Sequence, residues 1–229
     1  FKNASKILVT TLNESLALRA YADESKIIHI PNGINEEDYV EKDDGDLRAK
    51  LGLNNHPFIL FIGRLNPIKG PDLLLEAFCS VKDIYPDVHL VYMGPFSQQP
   101  PYQGGRLFPS LKKISENNSV TDRVHFLGYM SREDKSRIIH SSLFLAIPSR
   151  LEAMSIVVLE SGIAGKPVLL TDQCGFDEVE KIGGGLVVSA DVESLSEGID
   201  KMLNQRENLH VMGKYLQKSI RKEYLWSIA

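Results

Sequence analysis

Six short apolar runs limit what this chain can fold into. Residues 58–62, 88–93, 123–127, 143–147, 168–171 and 186–188 each carry the near-continuous hydrophobicity of a strand buried on both faces. Helical patterns lie between most of them. Residues 71–85 put Leu74, Ala77, Phe78, Val81 and Tyr85 on one face, with Pro71 suited to the first turn. Residues 131–140 open on a capping serine with an acid three positions on, and 191–203 space Leu195, Ile199 and Met202 helically. Strand alternating with helix predicts one parallel sheet covered on both faces. Right-handed crossovers make that a doubly wound, Rossmann-like α/β domain. Residues 96–109 break the rhythm with proline, glutamine and glycine and read as a surface insertion, with helix resuming over 110–117.

Ahead of this regular region, residues 6–10 and 26–30 read as strands flanking a helix over 12–21, and Pro31-Asn32-Gly33 marks a turn. Residues 35–46 are acidic and turn-rich, a solvated linker in the simplest reading, and 47–51 form a short helix ended by Gly52. A formal net charge of −4 supplies no basic field for nucleic acid. No apolar run approaches the length of a bilayer span. Cys79 and Cys174 have no metal-ligand spacing and read as reduced thiols of a cytosolic protein. The chain opens on Phe1 in mid-pattern and looks like a piece of something longer.

Chemistry concentrates at strand ends. Gly63-Arg-Leu-Asn-Pro-Ile-Lys-Gly70 follows the first strand of the sheet and enters a helix, a natural cradle for phosphate. Arg64 can fork onto oxygens and Lys69 acts as a point charge, so the pair serves a diphosphate without a metal. The loop is neither a Walker A sequence nor G-x-G-x-x-G. Glu152 and Glu160, with seven residues between them, lie in the loop after 143–147 and about a turn and a half into the following helix. Ser155 begins that helix, which carries Ile156, Val157, Leu159 and Ile163 and is closed by Gly165 as a C′ residue. A carboxylate beside a phosphate cradle asks for another partner, such as a sugar hydroxyl. Gly94 and Gly128 mark two further strand ends, where turn chemistry is an equal explanation. The histidines form no catalytic or metal-ligand spacing, and His125 reads as packing. Asp177, Glu178 and Glu180 read as a solvated acidic cluster on a short helix.

The paired glutamates with Gly165-Lys-Pro-Val168, the G-R…K-G loop and Ile30-Pro-Asn-Gly-Ile34 together resemble the retaining glycosyltransferases of the two-domain GT-B fold, glycosyl transferases group 1. Ala153 and Ser161-Gly162-Ile163 stand where that family usually has glycine or serine, and Ala-Met-Ala. The resemblance covers the whole chain. It implies the C-terminal, donor-binding half of such an enzyme. Residues 1–34 would be the tail of the N-terminal domain and the crossover, 35–223 the nucleotide-sugar-binding domain, and 224–229 the start of a C-terminal crossover helix. It implies retaining transfer of a hexose from a UDP- or GDP-sugar to a glycan or lipid-linked acceptor held mainly by a missing N-terminal domain. The isolated piece would then be inactive. The setting implied is cytoplasmic, extending to the inner membrane face, with no cofactor.

By the same resemblance Arg64 and Lys69 hold the donor diphosphate after Gly63, and Glu152 holds the sugar. Backbone amides near Met154, Ser155 and Ile156 support sugar or phosphate oxygens, Glu160 takes the ribose diol, and the backbone at Tyr129 and Met130 flanks the base. Arg64, Lys69 and Glu152 carry the catalytic roles. Two rivals stay open, a non-catalytic nucleotide-binding module and another enzyme on this fold, such as a nucleotide-sugar epimerase or a phosphorylase. A phosphorylase would need a lysine for pyridoxal phosphate, which no motif singles out.

Overall fold

The structure, a computed structural model, describes residues 1, 3–41, 47–95, 107–176 and 178–228. It opens with β1 (Ile7–Val9), α1 (Leu12–Leu18) and β2 (Ile27–His29), the two strands parallel and paired. A one-turn helix, α2 (Leu47–Lys50), precedes the main unit. There follow β3 (Phe58–Ile62), α3 (Pro71–Val81), β4 (His89–Met93), α4 (Leu107–Asn117), β5 (Val124–Gly128), α5 (Arg132–Ser141), β6 (Phe144–Ile147) and α6 (Ile156–Ile163). Next come β7 (Val168–Thr171), α7 (Val179–Ile182), β8 (Gly185–Val188), α8 (Val192–Asn204) and α9 (Leu209–Glu223).

The six main strands are all parallel, in the order β5-β4-β3-β6-β7-β8. The chain steps outward from β3 to β5, returns to lay β6 on the other side of β3, and steps outward again. Loops leaving β3 and β6 therefore turn to opposite faces of the sheet and open a crevice at its carboxyl edge. Period-2 alternation sorts the strand residues onto two cores. Ile59, Phe61, Leu90, Tyr92, Phe144 and Leu169 pack with α3 and α8 on one face. Phe58, Leu60, Val91, Met93, Leu145 and Leu170 pack with α5, α6 and α9 on the other. The cap positions agree with the sequence: Ser131 and Asp191 accept from the amides three residues on, at 3.1 and 2.8 Å. Cys79 and Cys174 are buried free thiols, and burial pushes Cys79 up to about 11.

Several boundaries differ from the sequence reading. The helix after β3 ends at Val81 rather than Tyr85, because Pro86 has no N–H for the Lys82 carbonyl and its ring would clash with it. Leu107 to Pro109 belong to α4, with Pro109 in the first turn where its missing N–H costs nothing. The remainder of the expected insertion, 96–106, lies outside the described residues, as do 42–46 and Asp177 of the acidic cluster. Residues 36–39 are not a solvated linker, although Val40 and Glu41 after them are exposed. Glu36–Tyr39 form a 3-10 turn with Tyr39 buried against α5 and α6. Glu178 accepts from the Tyr224 hydroxyl at 3.1 Å, and Glu180 accepts the Val187 amide at 3.1 Å, so neither is merely solvated.

Helix α9 went unread in the sequence. It packs on α6 through residues with no side chain to spare: a β-carbon on Gly162 would meet Leu216 and Ile220, and one on Gly213 would collide with the Gly165 carbonyl. Past α9, Ile34 and Leu225 form a parallel bridge and the Trp226 indole lies on Gly33, a bridge and a turn where a helix start is expected.

At the other edge of the sheet three histidines stack. Ring centroids are 4.2 Å apart for His56 and His89 and 5.1 Å for His89 and His125, and His89 Nδ1 lies 2.8 Å from His125 Nε2. One nitrogen must donate and the other accept, so protonating both rings breaks the bond. Burial first, then the positive charge of His56, His125 and Arg123, lowers His89 to about 4, and burial also lowers His125. The unfolded chain takes up the His89 proton near pH 6.5, whereas the fold resists it until about pH 4. The stabilisation is complete above pH 6.5 and is lost as pH falls toward 4. The melting temperature is expected to decline through that window, and His89→Gln is expected to flatten the decline. Equal slopes in the two proteins would assign acid sensitivity to carboxylates instead.

Candidate functional site

The loops after β3 and β6 meet across the crevice. Between Gly63 and Gly70 the chain makes one 3-10 turn, Pro67–Lys69, whose cap Asn66 accepts the Lys69 amide at 3.0 Å. Gly70 has φ 66°, and a β-carbon there would collide with the Pro148 carbonyl oxygen. Arg150 grips the same loop from the β6 side. Its guanidinium forks onto Asp72 at 2.9 and 2.7 Å and donates to the Pro67 carbonyl at 2.6 Å, while its amide donates to the Ile68 carbonyl at 2.7 Å.

The clamp brings Lys69 to Glu152, Nζ to Oε1 at 2.9 Å, and the same carboxylate oxygen accepts from the Ser149 hydroxyl. The Glu152 amide is tied to the Gln173 carbonyl at 2.8 Å. Arg64 is exposed and forms no ion pair among the described residues. Glu160, fifth residue of α6, is 8 % exposed and belongs to a different set. Lys135 Nζ lies 2.7 Å from its Oε1, and the Lys135 ammonium also stands over the Tyr39 ring. Burial and the Glu160 charge together drive the Tyr39 phenol far above its usual range.

The start of α6 differs in detail from expectation. Ser155 is buried and its amide already donates to the Cys174 carbonyl at 3.1 Å, so it offers no N–H to a ligand; Ile156 beside it is half-exposed. The Ser155 hydroxyl is buried without a hydrogen-bond partner among the described residues. Met154 is buried against the core shared with α5, α6 and α9. On the β4 side, the Gly63 amide donates to Met93 and the Gly94 amide to Gly128, both at 2.9 Å, extending the ladder past the strand ends. Gly94 closes against the Gly63 carbonyl, where a β-carbon would not fit, and Gly128 has φ 73°. The Tyr129 side chain stands in solvent and Met130 packs against the core. Beyond Met154 a cleft of about 630 Å³ separates the β1–α1–β2 unit from the main domain, lined by Thr10, His29, Met154, Glu178 and Tyr224 among others.

Sequence reasoning missed Tyr39, Lys135, Asp72 and Arg150. Lys135 carried a local signal: it lies three and four positions before Ile138 and Ile139, on the buried side of α5. The Arg150–Asp72 fork spans 78 residues and left none. Among the described residues, no three His, Cys, Asp or Glu are grouped to hold a metal, and no helix is long and apolar enough to cross a membrane.

The family described as glycosyl transferases group 1 matches residues 43–219. The chain belongs to it. D-inositol 3-phosphate glycosyltransferase of Mycobacterium sp. (strain JLS) is 30% identical over 208 residues, 88% of this chain and 45% of that protein. Spore coat protein SA of Bacillus subtilis (strain 168) is 26% identical over 186 residues, 79% of this chain and 48% of that protein. The chain spans about half the length of the curated relatives it matches. Sucrose-phosphate synthase from Thermosynechococcus elongatus superposes with a TM-score of 0.83 at 23% identity, covering 99% of this chain and 56% of that one. Anabaena HepE, solved with UDP-glucose, gives 0.84 at 20% identity, over 96% and 60%. This family member thus has the Rossmann-like architecture of one half of a GT-B glycosyltransferase.

Two glycines separate backbone strain from steric contact. Gly52 and Gly70 both have positive φ, 73° and 66°, yet a β-carbon on Gly52 meets nothing within 4 Å. Gly52→Ala is expected to lower the melting temperature by about 2–4 °C through strain alone. Gly70→Ala, with the Pro148 collision added, should lower it at least twice as far. Equal shifts would mean that the two loops separate at no cost.

Proposed function

We propose that this chain is the donor-binding part of a retaining glycosyltransferase that moves a hexose from a UDP- or GDP-sugar to a glycan or lipid-linked acceptor. The observation that carries the reading is the pairing of Lys69 with Glu152 at the crevice between β3 and β6, with Arg64 uncommitted beside it. A cation and a carboxylate in contact at the switch point suit a ligand that is anionic at one end and hydroxylated at the other. A nucleotide sugar is such a ligand. HepE was solved with UDP-glucose, and that relative supports the choice of ligand class.

In this reading Arg64 and Lys69 neutralise the departing diphosphate, a stabilisation that grows with charge in the transition state and is commonly worth several kcal/mol. Glu152, held by Ser149, accepts from the sugar hydroxyls. The amide of Ile156 at the start of α6 faces the same oxygens, and Glu160 accepts from the ribose diol. The base lies along the backbone at Tyr129 and Met130. The separate cation partners of Glu152 and Glu160 support separate roles, unlike two carboxylates that share one reacting centre. Residues 1–34 belong to the tail of the N-terminal domain. The exposed Leu8, Leu16 and Tyr21 of the β1–α1–β2 unit support that division. The acceptor enters through the cleft beside Met154.

Nucleotide binding is expected to be unchanged by chelating divalent ions, because two cations already face the diphosphate. Calorimetry with and without EDTA checks this, and binding only with magnesium would refute the two-cation cradle. Arg64→Ala is expected to cut turnover of the full-length enzyme at least tenfold, while costing the fold under about 1 kcal/mol, since the side chain is exposed. A large fall in melting temperature with proportionate loss of activity would make Arg64 structural.

The glutamates should separate in titrations. Glu160→Gln weakens free UDP or GDP by about tenfold or more, whereas Glu152→Gln spares the free nucleotide and damages affinity for the nucleotide sugar, turnover, or both. Equal effects of both substitutions on the free nucleotide would overturn the assignment.

A further inference from the structure

We propose that Lys135 is the positioning residue for Glu160, fixing the carboxylate that recognises the nucleotide ribose and so setting the preference for a ribose over a deoxygenated sugar. This rests on the reading of Glu160 given above.

Glu160 is nearly enclosed, and α6 itself, Ile156–Ile163, offers it no cation. A carboxylate in such a place needs an opposite charge and hydrogen bonds, or it is held at high cost. Lys135 supplies the charge from the neighbouring helix at 2.7 Å, with side-chain exposures of 24% for the lysine and 10% for the glutamate. The lysine is itself fixed. Ser131 caps α5 one turn earlier, and the ammonium lies 5.6 Å from the Tyr39 ring centroid, over the face of the ring. Tyr39 is fixed in turn. Asp38 pairs with Arg132 at 2.7 Å, and the Tyr39 carbonyl lies 2.9 Å from His140 Nε2, so the 3-10 turn is pinned to both ends of α5.

A carboxylate offers about four acceptor positions. Lys135 occupies one of them on Oε1, which leaves both positions on Oε2 for a pair of neighbouring hydroxyls. The arrangement orients the acceptor and keeps it charged while leaving it half-satisfied, which is what recognition of a diol requires. As a device for stability alone it would be poor, since a buried ion pair is readily bettered by apolar packing. The neighbours Ile138, Ile139, Leu159 and Ile163 could provide such packing.

The test measures affinity of the full-length protein for UDP and for GDP, each against its 2′,3′-dideoxy analogue, by calorimetry. Wild-type protein is expected to prefer the ribose form of its nucleotide roughly tenfold or more, and Glu160→Gln to erase that preference. Lys135→Met is expected to reduce the preference to about threefold or less, with Lys135→Arg restoring most of it. If Lys135→Met does not fold, Lys135→Gln, which keeps a donor but not the charge, is expected to lose the preference in the same way. Retention of the preference in Lys135→Met or Lys135→Gln, while Glu160→Gln loses it, would overturn the role of Lys135 and leave the ribose assignment standing. A wild-type protein without preference, or a Glu160→Gln variant that keeps it, would overturn the ribose assignment and the proposal together.

Discussion

The site depends on two loops touching where a side chain would keep them apart. Gly70 lies so close to the Pro148 carbonyl that no other residue fits between the β3 and β6 loops. The contact exists because β3 and β6 are neighbours at the point where the sheet order reverses. From it follow the Arg150 fork onto Asp72, the short reach from Lys69 to Glu152, and the start of α3 directly behind the loop. The Gly63–Gly94 contact on the β4 side repeats the device.

Three ion pairs form around the crevice, while Arg64 has none among the described residues. Lys69 faces Glu152, Lys135 faces Glu160 and Arg150 faces Asp72. These pairs are partly shielded from water, so dissolved salt weakens them less than it weakens surface pairs. The three pairs differ in what they hold. Arg150–Asp72 joins one loop to another and has a geometry that binding need not disturb. Lys69–Glu152 joins the β3 loop to the β6 loop, and in the proposed function a ligand takes over both ends of that pair. Lys135–Glu160 joins two neighbouring helices, α5 and α6, on one face of the sheet.

Most of the fold was legible because parallel strands buried on both faces are saturated with apolar residues, and β3 and β7 stand where the runs predict them. Gly63, Gly70, Arg64, Lys69 and Glu152 were legible because they cluster in short loops at strand ends. What escaped was tertiary. Tyr39 sits in a stretch dominated by acids, and a reading of average polarity hides one aromatic that finds a core. Asp72 looked like an ordinary acid in a first helical turn until Arg150 came to it from another loop. The amide of Ser155 shows the same limit: sequence locates a helix start, but not which of its N–H groups a neighbouring loop has already taken.

The close packing of α6 on α9 has a consequence for how damage to this protein would look. Gly162 stands two residues beyond Glu160, with Leu216 and Ile220 against it. A single added methyl group there would press the helices apart and carry Glu160 off its lysine. In a pedigree or a mutant screen, a glycine-to-alanine change on the dry side of this helix would pass for a conservative polymorphism. Under the role proposed for Glu160 it would nevertheless present as a defect in nucleotide recognition, transmitted from a glycine packed between two helices.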